Sequence, residues 1–267
     1  MDLFVYLFIF YFGAIVGSFL NVVILRLPQG VPLSGRSRCV HCGRKLKPVE
    51  LFPLFSFLIL KGKCKNCRMA ISWRYFTIEL ITGLMFLAVF LWQNPVDQIG
   101  YLFFLKSLVL IAVLIAVFVI DLEHYLILDE VLLAGGIIAL GFNLILDLIS
   151  KHKIYSLDSL ALSGLLTALG FSCFFFSLWY VSKGKWMGFG DVKFMFFLGL
   201  ALGWPDVLVC FILAFLLGTV FSLPLLILGK KTLSSKLPFG TFLSIAAVLA
   251  LFFGDKLFAW YLAVLGF

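Results

Sequence analysis

Two sets of side chains in this sequence are spaced to do chemistry. Four of the six cysteines form the pairs Cys39-x-x-Cys42 and Cys64-x-x-Cys67, with 21 residues between the pairs. Each pair can bite one ion through two thiolates, and two such pairs close a tetrahedral site that suits zinc. The surrounding Lys and Arg favour thiolates and offset the charge of a four-thiolate centre. A structural ion is expected, because it would fold a loop with little core of its own. A catalytic ion would need an open coordination position and a nearby base, which nothing in the pattern demands. The plain alternative is four reduced thiols. His41, between two of the cysteines, reads as a solvated neighbour, and Cys173 and Cys210, inside apolar runs, as small packing residues.

The second set is acidic. Asp121 directly follows an apolar run ending Val119-Ile120, with Glu123, Asp129 and Glu130 after it. Asp191 closes Gly188-Phe189-Gly190-Asp191 and precedes the apolar run Phe194 to Leu200. Glycines on both sides of a bulky residue let the backbone turn sharply and approach another chain. Two carboxyls brought within reach share a proton, so that one acts as base and the other as acid. Such a pair can activate a water against a peptide carbonyl without a metal or a covalent intermediate. Taken singly, each acid has a plainer reading: Asp121 as a helix-end acid satisfied by water, and the Gly-Phe-Gly-Asp turn as a cap for the next helix.

The elements that must position these groups are membrane spans. Of 267 residues, 63% are hydrophobic and 13% charged, and 32 are Phe. Soluble domains run at about 45–50% apolar and about 25% charged, so the excess must face lipid. Residues 3–25 are too long for a signal-peptide core and lack its basic start and small-residue cleavage site, which predicts a retained span. Further spans are expected near 77–95, 101–120, 131–149, 160–182, 192–205, 207–228 and 239–254, with 257–267 either a continuation or an interfacial segment. The fold class is therefore all-α, a polytopic membrane bundle of about eight spans with a zinc-ribbon-like cytoplasmic loop. Its expected divisions are 1–25 as first span, 26–76 as the cysteine loop, and 77–267 as the catalytic bundle.

Charge sets the orientation. From Arg26 to Arg74 there are eleven Lys/Arg and one acid, Glu50, a balance of +10 against +8 for the whole chain. Wedged between spans, this marks a cytoplasmic loop rather than a nucleic-acid site, for which no binding module is present. Alternating spans then place 121–130, 183–191 and 229–238 on the same side. That collects 17 Lys/Arg inside, with Lys183, Lys185, Lys193, Lys230, Lys231 and Lys236 joining the first loop, against Lys151, Lys153 and Lys256 outside. Lys106 falls within a span. Both acidic clusters lie at the cytoplasmic ends of spans, where a carboxylate close to lipid needs a purpose.

With these residues in view, the chain resembles the type IV prepilin peptidases. Asp121 in Ile-Asp-Leu-Glu-His-Tyr-Leu-Ile-Leu-Asp is similar to the first catalytic segment of that family, although Leu128 stands where the family usually has proline before Asp129. Gly188 to Lys193, then Gly199 and Gly203-Trp204, resembles the second, a signature shared in part with presenilin-like intramembrane proteases. Gly17-Ser18-Phe19-Leu20-Asn21-Val22-Val23-Ile24, Arg26-Leu27-Pro28, the cysteine pairs (Val40 replacing a frequent proline), Gly62, Ile71-Ser72-x-Arg74-Tyr75 and Glu79 to Gly83 resemble the amino-terminal part of the bifunctional members. The resemblance implies Asp121 and Asp191 as catalytic dyad. It implies cleavage of prepilins or pseudopilins after a glycine, on the cytoplasmic side of the cell membrane. It also implies N-methylation of the new amino terminus from S-adenosylmethionine.

The sequence alone shows no site for that methyl donor, since 26–76 has no glycine-rich loop after a strand. Glu79, near a span start, needs a partner, with Arg74 close by, and serves either a structural ion pair or a substrate. A basic loop does not itself attract a basic leader, which leaves leader selection to Glu123, Glu130 or lipid. The rival readings are a transporter using the same acids as proton or cation relays, and a scaffold that docks partners through the zinc loop.

Overall fold

A computed structural model describes residues 3–150, 159–228 and 238–266, so Lys151, Lys153, Lys230, Lys231 and Lys236, used above for orientation, lie outside the described residues. Chain contacts divide it into two compact units, Met1–Asn94 and Pro95–Phe267.

In the first unit, α1 (Leu3–Arg26) packs along α3 (Trp73–Gln93). The packing depends on the absence of side chains at Gly13 and Gly17, one helical turn apart. A Cβ on Gly13 would lie 2.8 Å from the Gly83 Cα, and one on Gly17 would lie 2.8 Å from the Glu79 Cα. Close backbone approach through small residues four apart is how helices associate where lipid offers no hydrophobic drive. Asn21 adds a polar tie by donating from Nδ2 to the Tyr75 carbonyl at 3.0 Å. The Ser72 hydroxyl starts α3 by accepting the Arg74 N–H, and Asn94 ends it in the left-handed conformation. Between the helices the chain forms short 3-10 turns at Leu27–Gln29 and Pro48–Leu51 and one small helix, α2 (Phe55–Ile59). Two isolated antiparallel bridges, Arg38 with Lys45 and Lys63 with Ala70, close a pair of tight hairpins around the cysteines.

The second unit holds α4 (Gln98–His124), α5 (Asp129–Ile149), α6 (Leu160–Val181), α7 (Phe189–Leu202), α8 (Asp206–Ile227) and α9 (Phe239–Leu265). Asp97 caps α4 through the Gly100 N–H at 2.9 Å. The buried Asp147, near the end of α5, takes the N-terminus of α6, accepting from the Ser159 hydroxyl and the Leu160 and Ala161 N–H groups at 2.7–2.9 Å. At the centre lies α7, with Phe194, Met195, Phe197 and Leu198 almost wholly buried. A Cβ on Gly199 would stand 2.4 Å from the Ala168 Cα, so α6 and α7 touch backbone to backbone. The Thr167 hydroxyl and Asn143 amide then satisfy the Gly199 and Leu200 carbonyls near the end of α7.

Across both units, seven of the described helices are long and apolar enough to cross a membrane. The one other expected span, 192–205, corresponds to α7, which starts three residues earlier; with 14 residues it runs only about 21 Å, which its burial inside protein allows. The tail expected at 257–267 is the continuation of α9, which runs unbroken to Leu265.

Candidate functional site

Asp121 sits in the last turn of α4 and Asp191 in the first turn of α7, both buried, with 5% and 7% of their surface exposed. Their carboxyls are close enough for the charge of Asp121 to act on Asp191. Asp121 Oδ2 accepts the Thr241 N–H at 2.9 Å, and the Gly240 N–H is directed at the same carboxylate. Both donors belong to the open N-terminus of α9, which favours negative charge. Asp191 Oδ2 accepts a longer bond, 3.2 Å, from the Gly188 N–H of its own turn. Ile127 seals the arrangement: its side chain lies against both Gly190 and Gly240, at 3.0 Å from the position of a Cβ on either one. Two aspartates from separate spans thus stand within electrostatic range of each other at one end of the second unit.

The other acids of the first cluster are elsewhere. Asp129 is exposed and held by the Lys193 ammonium at 2.6 and 2.8 Å. That ammonium also lies 5.1 Å from the centre of the Phe189 ring. Glu123 and Glu130 face outward. Sequence reasoning missed Gly240 and Thr241. The available signal was Pro238-Phe239-Gly240-Thr241, a proline and a glycine at the start of an apolar run, which marks a helix N-terminus.

The four sulfurs of Cys39, Cys42, Cys64 and Cys67 lie within 4.8 Å of one another, with Cys39 Sγ and Cys67 Sγ 3.9 Å apart. Thiolates about 2.3 Å from a tetrahedral zinc stand about 3.8 Å from each other, so the cluster has the size such an ion requires. The two hairpins repeat one design. Cys39 and Cys64 each exchange backbone bonds with the residues five and four further on, and the residue after each second cysteine, Gly43 or Arg68, has φ of 69° or 56°. The N–H groups of Cys67 and Asn66 pull the Cys64 thiol down to about 6. The Arg44 N–H and then the Asn66 amide lower Cys42. Cys67, although met by the Met69 N–H, is pushed up to about 11 by burial and the three sulfurs around it. Four crowded thiols of which some ionise readily and one resists is the electrostatic state that a cation relieves.

A cavity of about 1140 Å³ opens beside this centre, within the first unit. Cys39 and Cys64 line one part of it, Arg26, Arg36, Arg38 and Arg74 contribute charge, and Phe57, Trp73 and Tyr75 supply aromatic wall. Glu79, 8% exposed, lines it from α3, accepting the Leu54 N–H at 2.8 Å with the Ser18 hydroxyl as a second donor.

A polytopic helical bundle with two buried aspartates near one another at one end is the layout of a membrane-embedded acid–base hydrolase. Comparison with known proteins gives that class a family. Residues 11–93 match the bacterial peptidase A24 N-terminal domain, and residues 108–223 match the type IV leader peptidase family. A protein of Aeromonas hydrophila is 32% identical across 95% of this chain and 92% of its own length. Relatives from Pseudomonas aeruginosa, at 31%, and Bacillus subtilis, at 32%, are covered over 92% and 96% of their lengths by 96% and 95% of this chain. All three are named prepilin leader peptidase/N-methyltransferase. The chain belongs to the type IV leader peptidase family, a family of aspartic peptidases. No solved structure matches it.

Proposed function

We propose that this membrane protein removes the leader from prepilins or pseudopilins through Asp121 and Asp191, and then methylates the amino terminus it has exposed. The single observation that carries the proposal is the meeting of the two buried aspartates, from α4 and α7, at one end of the second unit. Cleavage is placed on the cytoplasmic side, since Lys183, Lys185 and Lys193 flank the dyad and the cysteine loop carries eleven Lys/Arg.

Hydrogen bonds divide the roles. Donors to a carboxylate favour its charged form, and Asp121 receives two N–H groups at a helix start where Asp191 receives one long bond. Asp121 is the base that takes a proton from the attacking water. Asp191 is the acid that gives its proton to the scissile carbonyl oxygen. The resulting diol collapses as the leaving nitrogen is protonated and the C–N bond breaks, which releases a carboxyl on the leader and a free amine on the mature chain. Ile127 packs against Gly190 and Gly240 and keeps one side of the dyad apolar.

The cysteine cluster takes zinc as a structural ion, held by Cys39, Cys42, Cys64 and Cys67. S-adenosylmethionine fits the neighbouring cavity in size, in aromatic wall for its base, and in arginines for its carboxylate; when bound, it supplies an activated methyl group.

Cleavage of a purified prepilin by the protein in detergent tests the dyad. Asp121→Asn and Asp191→Asn should each lower the rate by about 10²–10⁴-fold, the usual contribution of a positioned acid or base. Undiminished cleavage by either variant would remove that residue from the reaction.

A further inference from the structure

Glu79 is the buried acid of the first unit that neither the dyad nor the cysteine centre uses. It lies on the second turn of α3, against Gly17 of α1, and its carboxylate meets the cavity where Ser18 and Asn21 also line it. Asn21 is 3% exposed, and its Oδ1 has no hydrogen-bond partner although Nδ2 is engaged with Tyr75. An unmatched acceptor on α1 and a carboxylate on α3, met only by neutral donors among the described residues, therefore line the same cavity from two packed helices. Acceptors concentrated in that way call for a ligand rich in donors, and a carboxylate calls for a cation. Two arginines of the cavity are engaged elsewhere: Arg26 caps the carbonyls of Pro32, Leu33 and Ser34 at 3.0–3.3 Å, and Arg44 pairs with Glu50 at 2.5 Å.

We infer that Glu79, with Asn21 beside it, holds the free α-amino group of the cleaved substrate and serves as the base for its methylation. The inference rests on the methyl-transfer reading above and names the acceptor's half of that site. The cavity has two ends of different chemistry. Arg36, Arg38 and Lys65 lie in the loop, where they suit the carboxylate of the methyl donor, whereas Glu79 and Asn21 lie on the membrane helices themselves. An amine at the tip of an apolar helix reaches the second place and not the first.

The reaction also needs a base there. An ammonium has no lone pair, so Glu79 must take one proton before the amine nitrogen can bond to the incoming methyl carbon. The carbon–sulfur bond breaks, its electron pair stays on sulfur as a neutral thioether, and the positive charge passes to the methylated ammonium. That cation remains beside the protonated Glu79, which regains its charge by releasing the proton to water. A sulfonium donor needs no such base, which is why the carboxylate is assigned to the acceptor.

The test is a binding measurement on the full-length protein in nanodiscs carrying Asp121→Asn, so that no cleavage intervenes. The probes are a synthetic peptide of the mature pilin amino terminus with a free amine and the same peptide acetylated. The free amine should bind at least about tenfold more tightly, and Glu79→Gln should abolish that preference while leaving bound zinc and S-adenosylmethionine affinity unchanged. In a background with intact aspartates, Glu79→Gln should still cleave prepilin but yield unmethylated product. A retained preference for the free amine in Glu79→Gln overturns the assignment. So does a parallel fall in zinc content, donor binding and cleavage, which would make Glu79 only the anchor of the Leu54 turn. If the parent protein binds no S-adenosylmethionine at all, the methyl-transfer reading fails on its own, separately from the amine preference.

Discussion

At the scale of single residues, the dyad is supported by backbone rather than by other side chains. The consequence is that glycines next to it are as sensitive as the acids. A Cβ on Gly240 would lie 2.8 Å from Asp121 Oδ2 and 3.0 Å from Ile127 Cδ1. Gly240→Ala should therefore displace the carboxylate from the α9 N–H groups and slow cleavage roughly 10–100-fold, because misplacement of an ångström costs about that much. Yield and helix content should stay at parental levels. Asp129 offers the control. Its pair with Lys193 is half exposed, and such pairs contribute about 0–1 kcal/mol, so Asp129→Asn should cleave within a few-fold of the parent. Equal losses in Gly240→Ala and Asp129→Asn would show that the assay reads general damage to this end of the bundle. Both aspartates were legible from the sequence because each stands out as an acid at the edge of an apolar run. Gly240 and Thr241 were not, since the bond that matters spans 120 residues and leaves no local periodicity.

At the scale of elements, the cysteine hairpins are a repeated design with unequal residues at equivalent places. Gly43 (φ 69°) and Arg68 (φ 56°) both occupy the left-handed region, where a side chain costs about 1–2 kcal/mol. Gly43→Ala should lower the stability of the metal-bound loop by about 1 kcal/mol, whereas Arg68→Gly should raise it slightly, the relief being partly offset by glycine's unfolded-state freedom. Thermal melts of the loop followed by metal release would rank the two, and a reversed order would refute the account. A pH effect belongs to the same element. Glu50 accepts the Lys47 N–H at 2.8 Å and the Arg44 guanidinium at 2.5 Å, which together hold it below its ordinary value of 4.5. Because the folded value is the lower one, the stability it lends is complete above about pH 4.5 and drains away as the pH falls through the depressed value. Proteolysis of residues 36–50 should quicken over that acid range in the parent protein, and the step attributable to this carboxyl should be absent from Glu50→Gln. The cysteine spacing disclosed this element from sequence. The strained turn at Leu54 (φ 63°), whose N–H engages Glu79, had no such marker.

At the scale of the whole molecule, apolar runs located the helices along the chain but not their partners. A span that is apolar on every side carries no stripe to say which face packs, so the pairing of α1 with α3 through Gly13 and Gly17, and the enclosure of the short α7, emerge only in three dimensions. The division after Asn94 has a testable consequence. The loop of the first unit contains only small helical pieces and two isolated bridges, so the structural ion proposed for its four cysteines would account for much of its order. The aspartates, by contrast, are set by helices of the second unit and by the N-terminus of α9. Stripping the metal from the intact protein with a thiol-compatible chelator, or introducing Cys39→Ser, should therefore open residues 30–72 to protease while residues 95–150 and 159–228 stay protected. Methylation should be lost by more than tenfold, and cleavage of a substrate should fall only a few-fold. Zinc, restored to the chelated parent, should recover loop protection and methylation together, and should do neither in Cys39→Ser. Protease cuts appearing at equal rates in both units, or a loss of cleavage as deep as the loss of methylation, would mean that the ion supports the proposed dyad as well, and the separation of the two activities along the chain would have to be abandoned.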